Sequence, residues 1–236
     1  IPVVLWWRGI PNIESHLFGS LVQIADHVVV DSAPQPNSIA FWRMLRGQFA
    51  NANFCDLNWA RLVPWRQLVA QLFDHVQNQQ LLQHIRYVNL AYSARGDQAN
   101  PAQALLLAAW LATRLGWQVH SVQSLGMGDF VLQFAQGETP IEVVIDAEER
   151  MDAHTGRMLE CALTAEGKNG PVEFIITRNV REENVTARTR NSQGEIEYAT
   201  TFEMRDESDI LATQLDYLGR DRVLDAAWNL IVGLDL

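Results

Sequence analysis

The 236-residue sequence contains very little lysine and no excess of positive charge. Lys168 is the single lysine among 18 cationic residues, and 28 acidic residues bring the net charge to −10. Because a nucleic-acid backbone requires a basic face, this charge argues against nucleic acid as a partner. The near-replacement of lysine by arginine has two open explanations, a high-GC genome or arginines used for pairing at an interface.

Cysteine is almost as scarce as lysine. Cys55 and Cys161 are far apart in the sequence, and two such residues suggest neither a zinc site nor a disulfide framework. We expect Cys55 to precede a helix and Cys161 to open a strand, so the two should be buried thiols that are not bonded to each other.

Long apolar runs are also lacking. None approaches the ~20 residues that a membrane-spanning helix needs, and no charged-then-apolar leader begins the chain. We therefore expect a cytoplasmic protein without a membrane partner. A hydrophobic content of 48% with 19% charged residues is typical of a globular protein with a substantial core.

The first part of the chain, residues 1–116, has the pattern of a parallel α/β layer. Apolar runs predict buried strands, and helical spacing of apolar residues between them predicts helices. The expected strands are Ile1–Trp7, Val28–Val30 and Ile85–Tyr92. Asn37 or Ser38, Asp56 and Pro64 are expected to start helices, and Gly116 to end an apolar helix in which Trp110 is almost fully buried.

The second part, residues 117–236, has a different pattern. Seven strand-like segments with period-two alternation are separated by glycine-rich turns. This predicts an antiparallel meander with one face exposed to solvent. A closing helix is expected from Asp206 to about Leu230. The predicted fold class is therefore α/β, a small parallel layer followed by an antiparallel β-meander with a C-terminal helix.

Sequence motifs of catalysis are missing. No G-x-G-x-x-G follows a strand, Gly167-Lys168 lacks the P-loop frame, and no G-x-S-x-G elbow is present. The histidines lack metal-ligand spacing. The acidic stretch from Asp146 to Asp152, together with His154, has the oxygen ligands of a metal site, but a solvated loop fits its turn-like composition better. We predict no catalytic residue, no cofactor and no metal.

One arrangement keeps an enzyme or ligand-binding alternative open. If the first strands are parallel, their carboxyl ends place Arg8, Asp31, Ser32 and Ser93 along one edge of the sheet. An arginine with hydroxyl groups nearby could hold a phosphate or a carboxylate. Alternatively, Arg8 and Asp31 simply pair with each other.

The segment Asp56–Arg66 is unusually rich in tryptophan and arginine. Trp59, Arg61, Trp65 and Arg66 are residue types that dominate protein–protein contacts, so they are candidates for partner binding. The alternative is that both tryptophans fill the core. Arg61 and Arg66 are then expected to be the exposed members of the set.

Five segments together resemble the glucose-6-phosphate dehydrogenase assembly protein family, OpcA type. They are Asp56–Arg66, Val3–Arg8, Val28–Ser32, Ala104–Ala112 and Leu218–Val223, the last resembling that family's C-terminal helix. The resemblance implies a non-catalytic assembly or activating subunit whose partner is glucose-6-phosphate dehydrogenase. It also implies sequence upstream of Ile1. Cyanobacterial members carry redox-responsive cysteines in the antiparallel region, whereas residues 172–203 contain none here, which puts redox control in doubt.

Two other functions stay open on sequence alone. One is a binder or enzyme of sugar phosphates or other small anions at the strand ends. The other is a structural homo-oligomer with no dehydrogenase partner.

Overall fold

The computed structural model of the chain describes residues 1–96, 98–180, 184–203, 207–216 and 219–235, and the side chains of residues 197–203 and 216 lie outside that description. The described residues contain two sheets, one of three strands and one of eight. This confirms the expected α/β fold class of a small parallel sheet and a larger, mostly antiparallel one.

The small sheet is entirely parallel. Its strands lie in the order β1 (Val4–Trp6), β2 (His27–Val30) and β3 (Phe54–Asp56). All four residues of the central strand β2 are buried, as its continuous apolar run predicts. Two helices connect the strands, α1 (His16–Ile24) and α2 (Ser38–Gln48). Asn37 caps α2 by accepting from the Ala40 N–H, as expected.

Four short elements and one long helix follow β3. They are α3 (Leu57–Ala60), α4 (Val63–Leu72), α5 (Val76–Gln79), a 3₁₀ turn (Gln80–His84) and, after the next strand, α6 (Ala102–Leu115). Asp56 caps α3, Pro64 lies in the first turn of α4, and Gly116 ends α6 in the left-handed region at φ 71°. These three boundaries were predicted from the sequence and are confirmed.

The eight-stranded sheet has the order β11-β10-β9-β8-β4-β7-β6-β5. Its strands are β4 (Ile85–Ala94), β5 (Gln118–Gly126), β6 (Asp129–Gln136), β7 (Thr139–Glu149), β8 (Met158–Gly167), β9 (Gly170–Asn179), β10 (Asn184–Asn191) and β11 (Gly194–Glu203). Every pairing is antiparallel except that between β4 and β7. The chain closes with α7 (Glu207–Asp216) and α8 (Arg222–Val232).

The two faces of this sheet differ in their cover. One face contributes Phe134, Val143, Leu90, Leu163 and Phe174 to a core shared with α2, α4, α6 and α8. The alternating residues point to the opposite face. Val131, Val144 and Ala162 on that face are partly exposed and join none of the described hydrophobic clusters. We call this second surface the open face.

Several expectations were wrong in detail. The third parallel strand is Phe54–Asp56, and Ile85–Ala94 lies instead in the larger sheet, next to β8 and β7. The reason is that a continuous apolar run shows burial on both faces but does not show which sheet takes the strand. The proposed division at 116/117 stays a prediction, although β4 from its first part is hydrogen-bonded to strands of its second.

Trp110 is only half-buried, so the expectation of near-complete burial was also wrong. It lies on the flank of α6, where a cleft of about 490 Å³ separates it from Val69 and Phe73 of the α4 region. The single closing helix is in fact two, because Asp221 starts α8 with a new cap. Asp206 and Leu218, which the sequence placed in that helical region, lie outside the described residues.

Cys55 and Cys161 are buried, unbonded thiols in different sheets, as expected. Burial raises the pKa of both thiols, and the negative charge of a neighbouring acid, Asp56 or Glu160 respectively, raises it further. Within the described part of the chain, no helix combines the length and apolar character needed to cross a membrane.

Candidate functional site

A cleft of about 390 Å³ opens at the carboxyl ends of β1 and β2. This end of a parallel sheet is where α/β proteins gather their ligands. The cleft is lined by residues of five regions. They are Trp6, Trp7, Arg8 and Gly9 at the end of β1; Asp31, Ala33 and Pro34 after β2; Leu57 and Arg61 of the α3 region; His154, Thr155 and Arg157; and Glu207 of α7.

Arg61 and Asp31 form a two-pronged ion pair in the wall of this cleft. The two guanidinium nitrogens donate to the two carboxylate oxygens at 2.7 and 2.8 Å. Arg61 is 6% exposed, and its second neighbour Glu207 is 3.9 Å away. Burial alone would lower the pKa of Arg61, but the hydrogen bond and charge of Asp31 outweigh it and raise the pKa. The opposite charges of the two side chains therefore compensate each other within the wall of the cleft.

Asp56 lies behind the ion pair, at the end of β3, with no exposed surface. Its carboxylate accepts from the backbone N–H groups of Ser32 and Asn58 at 3.0 and 2.9 Å, and from the Trp42 indole at 3.0 Å. Burial raises its pKa to about 6, helped by the nearby charge of Asp31, while the hydrogen bonds oppose this rise. All three hydrogen-bond donors hold structure around Asp56, so this carboxylate is not presented to the cleft.

A buried polar chain continues from Asp56 to the large sheet. The Asn58 side chain donates to the Ser32 hydroxyl at 3.2 Å and accepts from the Gln103 amide at 2.7 Å. Gln103 in turn accepts from the Met158 N–H at 3.0 Å. This chain fixes the small sheet, α6 and β8 relative to one another, and it occupies the Ser32 hydroxyl that the sequence placed in a ligand site.

Asn100 fixes one wall of the cleft. Its side-chain N–H group lies 2.7 Å from the Ala33 carbonyl oxygen and 3.3 Å from that of Gln35, and its Oδ1 accepts from the Ala102 N–H at 3.0 Å. One asparagine thus joins the start of α6 to the loop that follows β2.

Ser93 fixes a second, adjoining wall. Its hydroxyl donates to the His154 carbonyl at 2.5 Å and accepts from the Arg157 N–H at 3.1 Å. Gly156 lies between them at φ 81°, and a Cβ there would be 3.0 Å from the Asn100 carbonyl. Ser93 is fully buried, so it shapes the loop and does not contact a ligand in the cleft.

Arg8 supplies the remaining wall, with Trp7 beside it. The Arg8 guanidinium lies 5.1 Å from the ring centre of Trp6, and Trp7 packs edge-on against Phe18 at 5.1 Å. Arg8 does not pair with Asp31, whose carboxylate is held by Arg61. The alternative Arg8–Asp31 pair considered for the sequence was therefore wrong, because a better-placed arginine lies 30 residues away in the chain.

The structure joins the predicted partner-binding residues to the predicted ligand site, because Arg61 of the former and Asp31 of the latter form one ion pair. The other predicted partner-binding residues also lie partly or fully inside the protein. Trp59 and Trp65 are 2% and 0% exposed. Arg66 is half-buried and lies 3.6 Å above the Trp59 ring, and burial lowers its pKa to about 10. The expectation that Arg61 and Arg66 are exposed was wrong, because each finds an internal aromatic or acidic neighbour.

The sequence did not predict the part of the cleft that lies on one loop of the large sheet. His154, Thr155 and Arg157 reach the cleft on a loop between β7 and β8. The only local signal is the turn-forming Gly156, because the fold and not the spacing in sequence brings this loop to the ends of β1 and β2.

The acidic stretch considered as a metal site is taken up by internal contacts. Asp146 accepts from the Asn89 amide, Glu149 from the Gly96 N–H, and Asp152 pairs with Arg150. Among the described residues, no group of three or more histidine, cysteine or acidic side chains is arranged to hold a metal ion.

Comparison with known proteins gives the family of this chain. The family profile for the C-terminal domain of the glucose-6-phosphate dehydrogenase subunit, OpcA type, matches residues 52–228. The chain is 35% identical over 127 residues to the OxPP cycle protein OpcA of Nostoc punctiforme, covering 52% of this chain and 26% of that protein. It is 26% identical over 248 residues to the OpcA of Synechocystis, covering 99% of this chain and 50% of that protein. The chain spans half or less of the length of these relatives.

Solved structures share the fold at very low identity. A 3-ketoreductase of Actinomadura kijaniata, KijD10, in complex with NADP superposes with a TM-score of 0.56 at 8% identity, covering 98% of this chain and 76% of that one. A Gfo/Idh/MocA family oxidoreductase of Vibrio cholerae gives 0.51 at 10% identity, covering 97% and 75%. At such identities the likeness concerns the fold alone.

Proposed function

This chain belongs to the OpcA-type glucose-6-phosphate dehydrogenase assembly family, and from that premise we propose that it is a non-catalytic subunit that binds and assembles glucose-6-phosphate dehydrogenase. The proposed partner is the dehydrogenase of the same organism. The proposed effect is on the association or activity of that enzyme, with no chemistry in the chain itself.

The closed Arg61–Asp31 ion pair is the observation that carries the non-catalytic part. An acid–base catalyst must have a proton acceptor or donor within reach of the substrate. At the carboxyl ends of β2 and β3, however, both oxygens of Asp31 accept hydrogen bonds from Arg61. Asp56 accepts three internal hydrogen bonds. These two carboxylates are used to hold the fold together.

The open face of the large sheet is the proposed docking surface. One row crosses five strands in register: Val131, Val144, Asn89, Ala162 and Ile175. The row is apolar except for Asn89, and strands spaced ~4.8 Å apart make it about 20 Å wide. Ile175 at one end of the row is buried, and the partly exposed apolar residues Val131, Val144 and Ala162 suit the core of a protein interface.

Polar and charged residues border this row, as in the rim of an interface. Both polar pairs lie in the next row of the sheet: Gln133 donates to Glu142 at 2.6 Å at one end of it, and Arg190 approaches Glu173 at 3.4 Å at the other. The Trp59–Arg66 segment stays a predicted partner contact, but its buried side chains favour a supporting role over direct contact.

The experiment measures the affinity of the host dehydrogenase for the immobilised chain. A double variant, Val144→Arg with Ala162→Arg, places two large charges in the middle of the open face. We expect the dissociation constant to rise at least tenfold, which corresponds to about 1.4 kcal/mol.

The matched control is Val76→Arg, at a residue that is 74% exposed on α5 and does not belong to the row on the open face. It adds the same kind of charge and should leave the affinity unchanged. If the double variant binds like the control while both remain folded by circular dichroism, the dehydrogenase does not dock on the open face.

A further inference from the structure

We propose that the cleft at the ends of β1 and β2 binds a small phosphorylated sugar, held through its phosphate by Arg8 and Arg157. This goes beyond dehydrogenase assembly and does not depend on it. The proposal rests on the charge of the cleft, on the rigidity of its walls and on its size.

The residues that line the cleft carry more positive than negative charge, although the protein as a whole is acidic. Arg8, Arg61 and Arg157 line it together with His154, against the carboxylates of Asp31 and Glu207. Arginines thus outnumber acids here, although the whole chain carries a net charge of −10. Guanidinium groups match phosphate with paired N–H donors, so an anion of this kind fits the charge.

Of the three arginines, Arg61 is already neutralised by Asp31. Arg8 differs, because among the described carboxylates none forms an ion pair with it. It contacts the Trp6 ring, at 5.1 Å, and the residue is exposed. A guanidinium beside an aromatic ring still directs its N–H donors outward within its own plane, where an incoming anion can accept them.

Arg157 lines the same cleft, and its loop has a backbone that is held in place. The buried Ser93 bonds the loop at two points, at His154 and at Arg157, and the Gly156 N–H donates to the Ser93 carbonyl at 2.7 Å. Asn100 holds the facing loop at Ala33. Because both walls are fixed before any ligand arrives, binding costs little ordering of the backbone.

The volume of the cleft and its other lining groups indicate what kind of molecule carries the phosphate. A volume of about 390 Å³ lies within the usual range for small-molecule sites and exceeds what an inorganic anion fills. Thr155 offers a hydroxyl, His154 a ring nitrogen, and Trp7 an aromatic surface braced by Phe18. Hydroxyl partners beside an aromatic surface fit the polar edges and the C–H face of a sugar.

Isothermal titration calorimetry on the purified chain, without dehydrogenase, tests the proposal. The probes are glucose 6-phosphate and ribose 5-phosphate, with glucose and inorganic phosphate for comparison. We expect at least one sugar phosphate to bind with a Kd below about 1 mM, inorganic phosphate at least tenfold more weakly, and glucose without detectable heat. Raising the salt concentration should weaken the binding.

Variants locate the site. Arg8→Gln and Arg157→Gln should each weaken sugar-phosphate binding about tenfold or more, and Thr155→Val should weaken it by a smaller factor. Arg114→Gln removes an exposed arginine at the end of α6, outside this cleft, and should change nothing. Arg8 is exposed, so its variant should fold even if Arg157→Gln does not.

Three results would overturn the proposal: no binding of either sugar phosphate, equal affinity for inorganic phosphate, or binding that survives Arg8→Gln unchanged. Since no dehydrogenase is present, each of these outcomes leaves the assembly function untouched. Conversely, a chain that binds the sugar phosphate and not the dehydrogenase would support this site and refute the assembly function.

Discussion

The Trp42 indole donates a 3.0 Å hydrogen bond to the carboxylate of Asp56, a charged group with no exposed surface. Trp42 comes from α2 and Asp56 from the end of β3, so the bond ties a helix to the small sheet. An ionised carboxylate at such a place is costly unless several donors surround it. This cost gives the protein a testable dependence on pH.

The first prediction concerns that dependence. The pKa of Asp56 is raised to about 6 in the folded protein, above its ordinary value of 3.8 in the unfolded chain. The folded state therefore binds the proton more tightly, and the contribution of Asp56 to stability is present at low pH and is lost as pH rises through about 6. Between pH 5 and pH 7.5 the loss amounts to about 1 kcal/mol.

Urea unfolding of the wild type and of Asp56→Asn at pH 5 and pH 7.5 measures this loss of stability. His27, whose pKa is lowered by burial, titrates equally in both proteins and cancels in their difference. The stability of the wild type relative to Asp56→Asn should rise as pH falls from 7.5 to 5. A difference that is constant with pH would mean that Asp56 is ionised throughout.

The second prediction is that Arg61→Ala destabilises the protein by about 3 kcal/mol. Removing one partner of a buried ion pair leaves the other charge, here Asp31, without compensation in a half-buried place. Chemical denaturation gives the value. Arg114→Ala, at an exposed arginine, is the control and should lie within about 0.5 kcal/mol of wild type. If Arg61→Ala is equally mild, the ion pair is not structural and Arg61 is again a candidate for partner contact.

The third prediction concerns Asp221, which joins α8 to α3. One oxygen caps α8 through the N–H groups of Val223 and Leu224, and the other accepts from the Trp59 indole at 2.8 Å. Asp221→Ala removes the cap and that bond, so the free energy of unfolding should fall by about 2 kcal/mol. Asp221→Asn keeps a capping oxygen and should lose about half as much. Equal losses in the two variants would show that the cap contributes nothing.

Local signals in the sequence were sufficient for several helix boundaries. Asp56, Pro64 and Gly116 act through hydrogen bonds or dihedral angles within a few residues, so their effect can be read without the fold. The predicted alternation of buried and solvent-facing residues along β10 is likewise confirmed, since Val185 and Ala187 are buried and Arg190 is exposed.

Features that depend on distant residues could not be predicted. The strand Phe54–Asp56 is three residues long and becomes a strand only by pairing with β2. Arg61 resembles an exposed interface residue until Asp31, 30 positions away, is placed beside it. Trp110 lies on an entirely apolar helix, and only the packing of α4 against α6 determines that one flank stays partly open.

The candidate site shows the same division. Arg8 and Asp31 could be placed at one edge from the rule that parallel strands end together. Arg157 could not, because its loop reaches that edge through the antiparallel sheet.

Sedimentation velocity of the host dehydrogenase with and without this chain, run beside an assay of NADPH formation, tests the central claim most directly. We expect one faster-sedimenting species containing both proteins, and no NADPH from glucose 6-phosphate and NADP when the chain is alone. Two separate boundaries at micromolar concentrations, or substrate-dependent NADPH formation by the chain free of dehydrogenase, would contradict it.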